Sequence, residues 1–158
     1  MPTCEPTTAD DPAVATLTAE VIREYGVRYG DPHDDIAPPA DDATWVVVRD
    51  DDGSAVGCGA VQPWWCTVAE APPDVGELKR MYVRPAARGR GLSRRLLDRL
   101  VELAGERGMT ALVLETGIEQ PEAIGLYTTY GFRLMHTWGP YADDPRSRCF
   151  RLDISGAA

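Results

Sequence analysis

Gly89 and Gly91 stand in the run Arg88-Gly89-Arg90-Gly91-Leu92-Ser93, where a strand-like pattern gives way to an amphipathic helix. Two glycines at such a junction remove side chains where the backbone turns sharply, and the first N–H groups of a helix have no intrahelical partner. With the positive end of the helix dipole, these donors suit phosphate oxygens. Arg88, Arg90, Arg94 and Arg95 can add charge-assisted contacts. The same glycines also serve as plain turn chemistry. Their spacing is neither that of a P-loop nor the G-x-G-x-x-G of dinucleotide sites. Glu77 and Glu115 stand at strand ends and Tyr127 in a short helical pattern, all side chains of types that can exchange a proton. Each has a plainer role as well: a solvated carboxylate, or a tyrosine packed in the core. Tyr29, Trp64, Trp65, Trp138 and Tyr141 can enclose an apolar or cationic ligand, although one of the adjacent tryptophans serves equally as a core plug.

These residues need elements to position them. Pro12 opens a segment whose apolar residues Val14, Leu17, Val21 and Ile22, with Tyr25, recur near one helical face, with Asp10 or Asp11 as cap and an end near Gly26 or Gly30. An acidic, proline-containing loop runs from Asp31 to Asp42. Trp45–Arg49 and Ala55–Val61 predict a hairpin about Asp52-Gly53. Gln62–Pro73 reads as an elaborated loop and Val75–Val83 as the strand leading to the glycine turn. Leu92–Arg107 is the clearest helix, followed by a buried strand over Ala111–Leu114 that suits a right-handed crossover. A short helix over Pro121–Tyr130, ended by Gly131, precedes strands over Phe132–Trp138 and Arg148–Ile154. The order implies one α/β domain in which helices cover a twisted sheet.

A chain of 158 residues with 44% apolar content is large enough to bury one core without metals or staples. No apolar run approaches the roughly 20 residues that span a bilayer. The start, Met1–Asp11, lacks a basic and then apolar leader pattern, which makes a cytoplasmic protein the default expectation. Cys4, Cys58, Cys66 and Cys149 include no close pair with metal-ligand spacing, so no metal is expected. The net charge of −9 conceals nine basic and three acidic residues between Lys79 and Arg107. An acidic protein with one basic segment is a poor general binder of nucleic acid but can steer a small polyanion to one place.

Arg88-Gly89-Arg90-Gly91-Leu92-Ser93 resembles the R/Q-x-x-G-x-G/A segment of the GNAT superfamily of acyl-CoA-dependent N-acetyltransferases, with Ser93 in place of the last small residue. Gln120-Pro121-Glu122-Ala123-Ile124-Gly125-Leu126-Tyr127-Thr128-Thr129-Tyr130-Gly131-Phe132 is similar to that family's N-x-x-A-x-x-L-Y-x-x-x-G-F segment, with Gln120 where Asn is commoner. Both occur in the family's order. The resemblance implies a mixed, twisted, largely antiparallel sheet, with a central parallel strand pair splayed at the cofactor site and helices on both faces. It implies acetyl-CoA as cosubstrate, with Arg88, Gly89, Arg90, Gly91, Leu92 and Ser93 around the pyrophosphate and Met81, Tyr82 and Val83 along the pantetheine arm. Gln120 and Tyr127 join that set. By the same resemblance Tyr127 protonates or stabilises the departing thiolate, and Glu77 takes the amine proton directly or through water. Glu115 is the other carboxylate, and Tyr29, Trp64, Trp65, Trp138 and Tyr141 border the acceptor. The expected acceptor is a small-molecule primary amine, with a protein or peptide amine, or a noncatalytic acyl-CoA-binding role, as alternatives. Oligomeric state stays open, with the late strands able to support a homodimer.

Overall fold

The computed structural model describes residues 1–30 and 38–154, so most of the acidic loop expected from Asp31 lies outside the described residues. Among the described residues seven strands form one sheet, in the order β1-β2-β3-β4-β5-β7-β6. They are β1 (Thr3–Thr7), β2 (Thr44–Arg49), β3 (Ala55–Pro63), β4 (Val75–Val83), β5 (Ala111–Gly117), β6 (Arg133–Met135) and β7 (Ser147–Asp153). Among the described residues three α-helices accompany them: α1 (Pro12–Tyr29), α2 (Leu92–Glu106) and α3 (Pro121–Tyr130). Every strand pair is antiparallel except β4 with β5. The mixed, largely antiparallel sheet with one parallel pair is the architecture that the sequence implied.

Period-2 alternation on β2 feeds both faces of the sheet. Trp45 and Val47 join Val14, Leu17 and Val21 of α1 on one side. Val46 and Val48 join Leu96, Leu97 and Leu100 of α2 on the other. Because both faces are covered, four consecutive residues of β2 are buried and the strand reads as a continuous apolar run. A third cluster gathers Val75, Ala111, Val113, Trp138 and Cys149, with Trp64 and Tyr141 against it.

Local chemistry sets the element ends. Asp11 caps α1 by accepting the Ala13 N–H at 2.9 Å, and Gly30, at φ 73°, closes it in the left-handed region that glycine occupies without strain. Two expectations differ. Met1–Asp11 contains β1, which pairs along β2 from Thr3↔Arg49 to Thr7↔Trp45; its short length and Pro6 suit an edge strand. The strand expected over Phe132–Trp138 narrows to Arg133–Met135, because pairing with β7 stops there and Trp138 turns into the third cluster.

The β4–β5 pairing is brief. It runs from Val75↔Ala111 to Glu77↔Val113, after which β5 continues beside β7 and β4 continues beside β3. A bulge drives the separation: Cys58 pairs Tyr82 and Ala60 pairs Lys79, so Arg80 and Met81 together oppose Gly59, and Arg80 adopts φ 59°. An extra residue bends and twists its strand. The sheet consequently opens into a cleft between Leu78 and Leu114.

Leu100 is fully buried where α2 crosses the sheet. Leu100→Ala is expected to lower the unfolding free energy by about 2–5 kcal/mol, read as a fall in the urea midpoint at unchanged slope.

Candidate active site

The cleft is the mouth of a cavity of about 510 Å³. One wall is β4 from Glu77 to Val83, and the other is β5 from Leu114 to Gly117. Arg88, Gly89, Gly91, Leu92 and Ser93 close one end; Tyr29, Glu115, Tyr141, Asp144 and Ser147 also border the cavity. Gln120, Ala123, Leu126 and Tyr127 of the α3 segment contribute as well.

The glycine turn has the form that phosphate binding needs. Gly89 and Gly91 take φ 80° and 75°, and Gly91 serves as the N-cap of α2 with no side chain bonded to the first-turn amides. These amides and the helix dipole therefore remain directed at the cavity end. Arg88 borders the cavity too, held by the Val83 carbonyl at 2.8 Å and Glu24 at 2.7 Å. The Arg90 side chain, expected beside it, turns away and forms a two-pronged pair with Asp50 in the β2–β3 turn at 2.8 and 2.9 Å.

Tyr127 lies in the middle of the construction. It is 5% exposed, packs edge-on against Phe132 with ring centroids 5.5 Å apart, and borders the cavity. Burial pushes its phenol well above the usual value, so it remains a neutral donor near pH 7.

Glu77 is 1% exposed. Its carboxylate accepts from Thr67 Oγ1 and from Gln62 Nε2 at 3.3 Å, with Lys79 Nζ 4.0 Å away. Burial raises its proton affinity, while Lys79 and the two hydrogen bonds oppose that rise. Glu115 accepts from Ser147 Oγ at 2.7 Å, and burial likewise raises its proton affinity. Both carboxylates border one cavity with their proton affinity raised by burial.

Of the aromatic residues expected around an acceptor, Tyr29 and Tyr141 border the cavity. Trp64, Trp65 and Trp138 are not among its lining residues. Trp64 and Trp138 meet edge-on at 5.3 Å and Trp138 meets Tyr141 at 5.2 Å, so they support Tyr141 from behind; Trp65 is 49% exposed. The sequence reading missed Tyr25, Arg28, Asp144 and Arg146, all of which line the cavity. The four-residue spacing of Tyr25 and Tyr29 on α1 was a usable signal. Asp144 and Arg146 come from a loop that carried none. Among the described residues no metal-ligand cluster occurs, and no described helix is long and apolar enough to cross a membrane.

Residues 14–132, which contain both walls and the glycine turn, match the Acetyltransferase (GNAT) family. The chain belongs to the GNAT acetyltransferases. A Klebsiella pneumoniae structure described as an acyl-CoA N-acyltransferase superposes with TM-score 0.81 at 30% identity, covering 98% of each chain. A GNAT family acetyltransferase from Elizabethkingia anophelis with acetyl-CoA bound shares the fold, with TM-score 0.67 at 19% identity over 97% of this chain and 98% of that one. An IAA acetyltransferase of Azospirillum brasilense is 43% identical over 95 residues, 60% of this chain; the chain spans 58% of that relative's length. Within the GNAT frame, the parallel pair that opens at Glu77 is β4 with β5.

The raised proton affinity of Glu77 has a stability consequence. The native carboxyl titrates above the unfolded value of 4.5, so native protein holds the proton more tightly and stability is lost as pH rises through that window. Glu77→Gln has no such proton. Its stability relative to the parent is expected to rise from about pH 4 upward and to level off above the native value. Urea titrations across pH check this; an advantage that shrinks with rising pH would contradict it.

Proposed function

We propose that this chain is an N-acetyltransferase that moves the acetyl group of acetyl-CoA to a primary amine of a small molecule by direct attack. One observation carries the reading: a single cavity joins the glycine turn, the Tyr127 phenol and the buried Glu77 carboxylate. Family membership and the acetyl-CoA-bound relative of the same fold support it.

The residues fit a coenzyme thioester. The unpaired first-turn amides of α2, with Arg88, suit the pyrophosphate. Met81, Tyr82 and Val83 border the cleft where β4 has no ladder partner in β5, so β4 can offer backbone groups to the pantetheine amides. Gln120 lies at the start of α3 beside the same cavity. Acetyl-CoA supplies the activated acetyl group.

Transfer forms one N–C bond and breaks one C–S bond. Glu77 takes a proton from the amine, directly or through water, with Glu115 as the other carboxylate within the cavity. Tyr127 donates a hydrogen bond to the departing sulfur. Because burial holds its phenol above an ordinary thiol, stabilising the thiolate is its stronger role than full proton transfer. Tyr29 and Tyr141 supply aromatic surface for the acceptor.

A panel of primary amines with acetyl-CoA, read as free thiol and acetylated product, tests the assignment. No turnover across a broad panel by folded protein that binds CoA would overturn it, and activity on peptide arrays far above that on small amines would move the acceptor to the peptide class. Tyr127→Phe is expected to lower kcat by about 10²-fold or more while leaving CoA affinity within about twofold, measured by calorimetry.

A further inference from the structure

The two oxygens of Glu77 are in different surroundings. Oε1 accepts from Thr67 Oγ1 and from Gln62 Nε2 at 3.3 Å, whereas Oε2 faces Lys79 Nζ at 4.0 Å. Gln62 is held at its other end, where Oε1 accepts the Ala40 N–H at 2.6 Å. With that oxygen engaged by a backbone donor, the amide nitrogen must point to the carboxylate. Gln62 and Glu77 are directly paired on β3 and β4, and both are buried, at 3% and 1% exposure. Thr67 follows the short helical turn Trp64–Cys66 and reaches back over the strand end. Moving the carboxylate away would leave the buried Gln62 amide only its long 3.4 Å contact with Thr67 Oγ1 and would take the acceptor from the half-buried Thr67 hydroxyl, which is costly.

We propose that Gln62 and Thr67 are positioning residues, which bind Oε1 of Glu77 and thereby present Oε2 to the acceptor amine. The inference rests on Glu77 being the proton acceptor. Gln62 and Thr67 touch no reacting atom in this scheme; they act through the carboxylate. Other titratable groups that influence Glu77 or feel it are Lys79 on its own strand, Glu115 on β5, Tyr141 and Cys149 near and on β7, and Cys66 in the helical turn. None of these supplies a hydrogen bond to Oε1.

Hydrogen bonds to the ionised carboxylate lower its proton affinity, so removing one raises it. Thr67→Val is therefore expected to move the Glu77 midpoint up by roughly one pH unit, read by carbon NMR of protein labelled at the glutamate carboxyls. Glu77→Gln assigns the resonance. The same variant is expected to lower kcat at pH 7 by about tenfold with the acetyl-CoA KM unchanged, using the best amine from the panel. Thr67→Ser, which keeps the hydroxyl, is expected to restore both. An unmoved midpoint in Thr67→Val, or a defect that Thr67→Ser does not relieve, would overturn the positioning role. Wild-type turnover by Glu77→Gln would instead overturn the base assignment on which it rests.

Discussion

The early end of the β4–β5 ladder is the constraint on which this molecule depends. Three residue pairs hold the parallel strands together, and beyond Glu77 and Val113 they part. Continued pairing would have filled the centre of the sheet with backbone hydrogen bonds and left nowhere for a ligand to enter. The bulge at Arg80 and Met81 opposite Gly59 makes the separation permanent, since it twists β4 toward β3. Antiparallel pairing of β5 with β7 over seven residue pairs holds the other wall. The open cleft is thus bounded by two well-paired half-sheets and needs no flexible element to maintain it.

Electrostatics follows from that geometry. Glu77 ends the β4–β5 ladder and Glu115 follows just beyond it on β5, so both border the cavity while largely removed from water. Their proton affinities rise through desolvation, and hydrogen bonds from Gln62, Thr67 and Ser147 keep them oriented. At the other end the charge is of opposite sign. Glu20 binds Arg84 in a two-pronged pair at 3.0 and 2.8 Å, and Glu24 binds Arg88, so α1 braces the approach to the glycine turn. The basic segment seen in the sequence is thereby divided: Arg90 is occupied at the surface by Asp50, while Arg88 and Arg94 stay at the cavity.

What could be read from the sequence was whatever local chemistry decides. Val75–Val83 and Pro121–Tyr130 were bounded correctly because apolar patterning, Pro121 and Gly131 act within a few residues of one another. The turn at Gly89 and Gly91 was legible for the same reason. Edge strand β1 was not, because Thr3–Thr7 is polar, contains Pro6 and gains its conformation from β2. Gln62 was placed in a loop although β3 extends to Pro63, which hid its partnership with Glu77 across the ladder. The end of the cavity proposed for the acceptor was least legible. Tyr29 is distant in sequence from Tyr141, Asp144 and Arg146, and only the fold brings it to them; Trp64 and Trp138 had the right chemistry but pack behind the wall.

Gly117 shows how such a cavity can be reshaped without altering the groups proposed to react. A β-carbon built at this position would lie 1.5 Å from the Tyr29 hydroxyl, so the ring occupies space that any other residue would claim. The contact is with the tip of a side chain, which can swing aside. A single added methyl would therefore act as a wedge, reshaping the chamber through Tyr29 while Tyr127 and Glu77 kept their places. Cavity shape and the proposed chemical machinery are in this way separable.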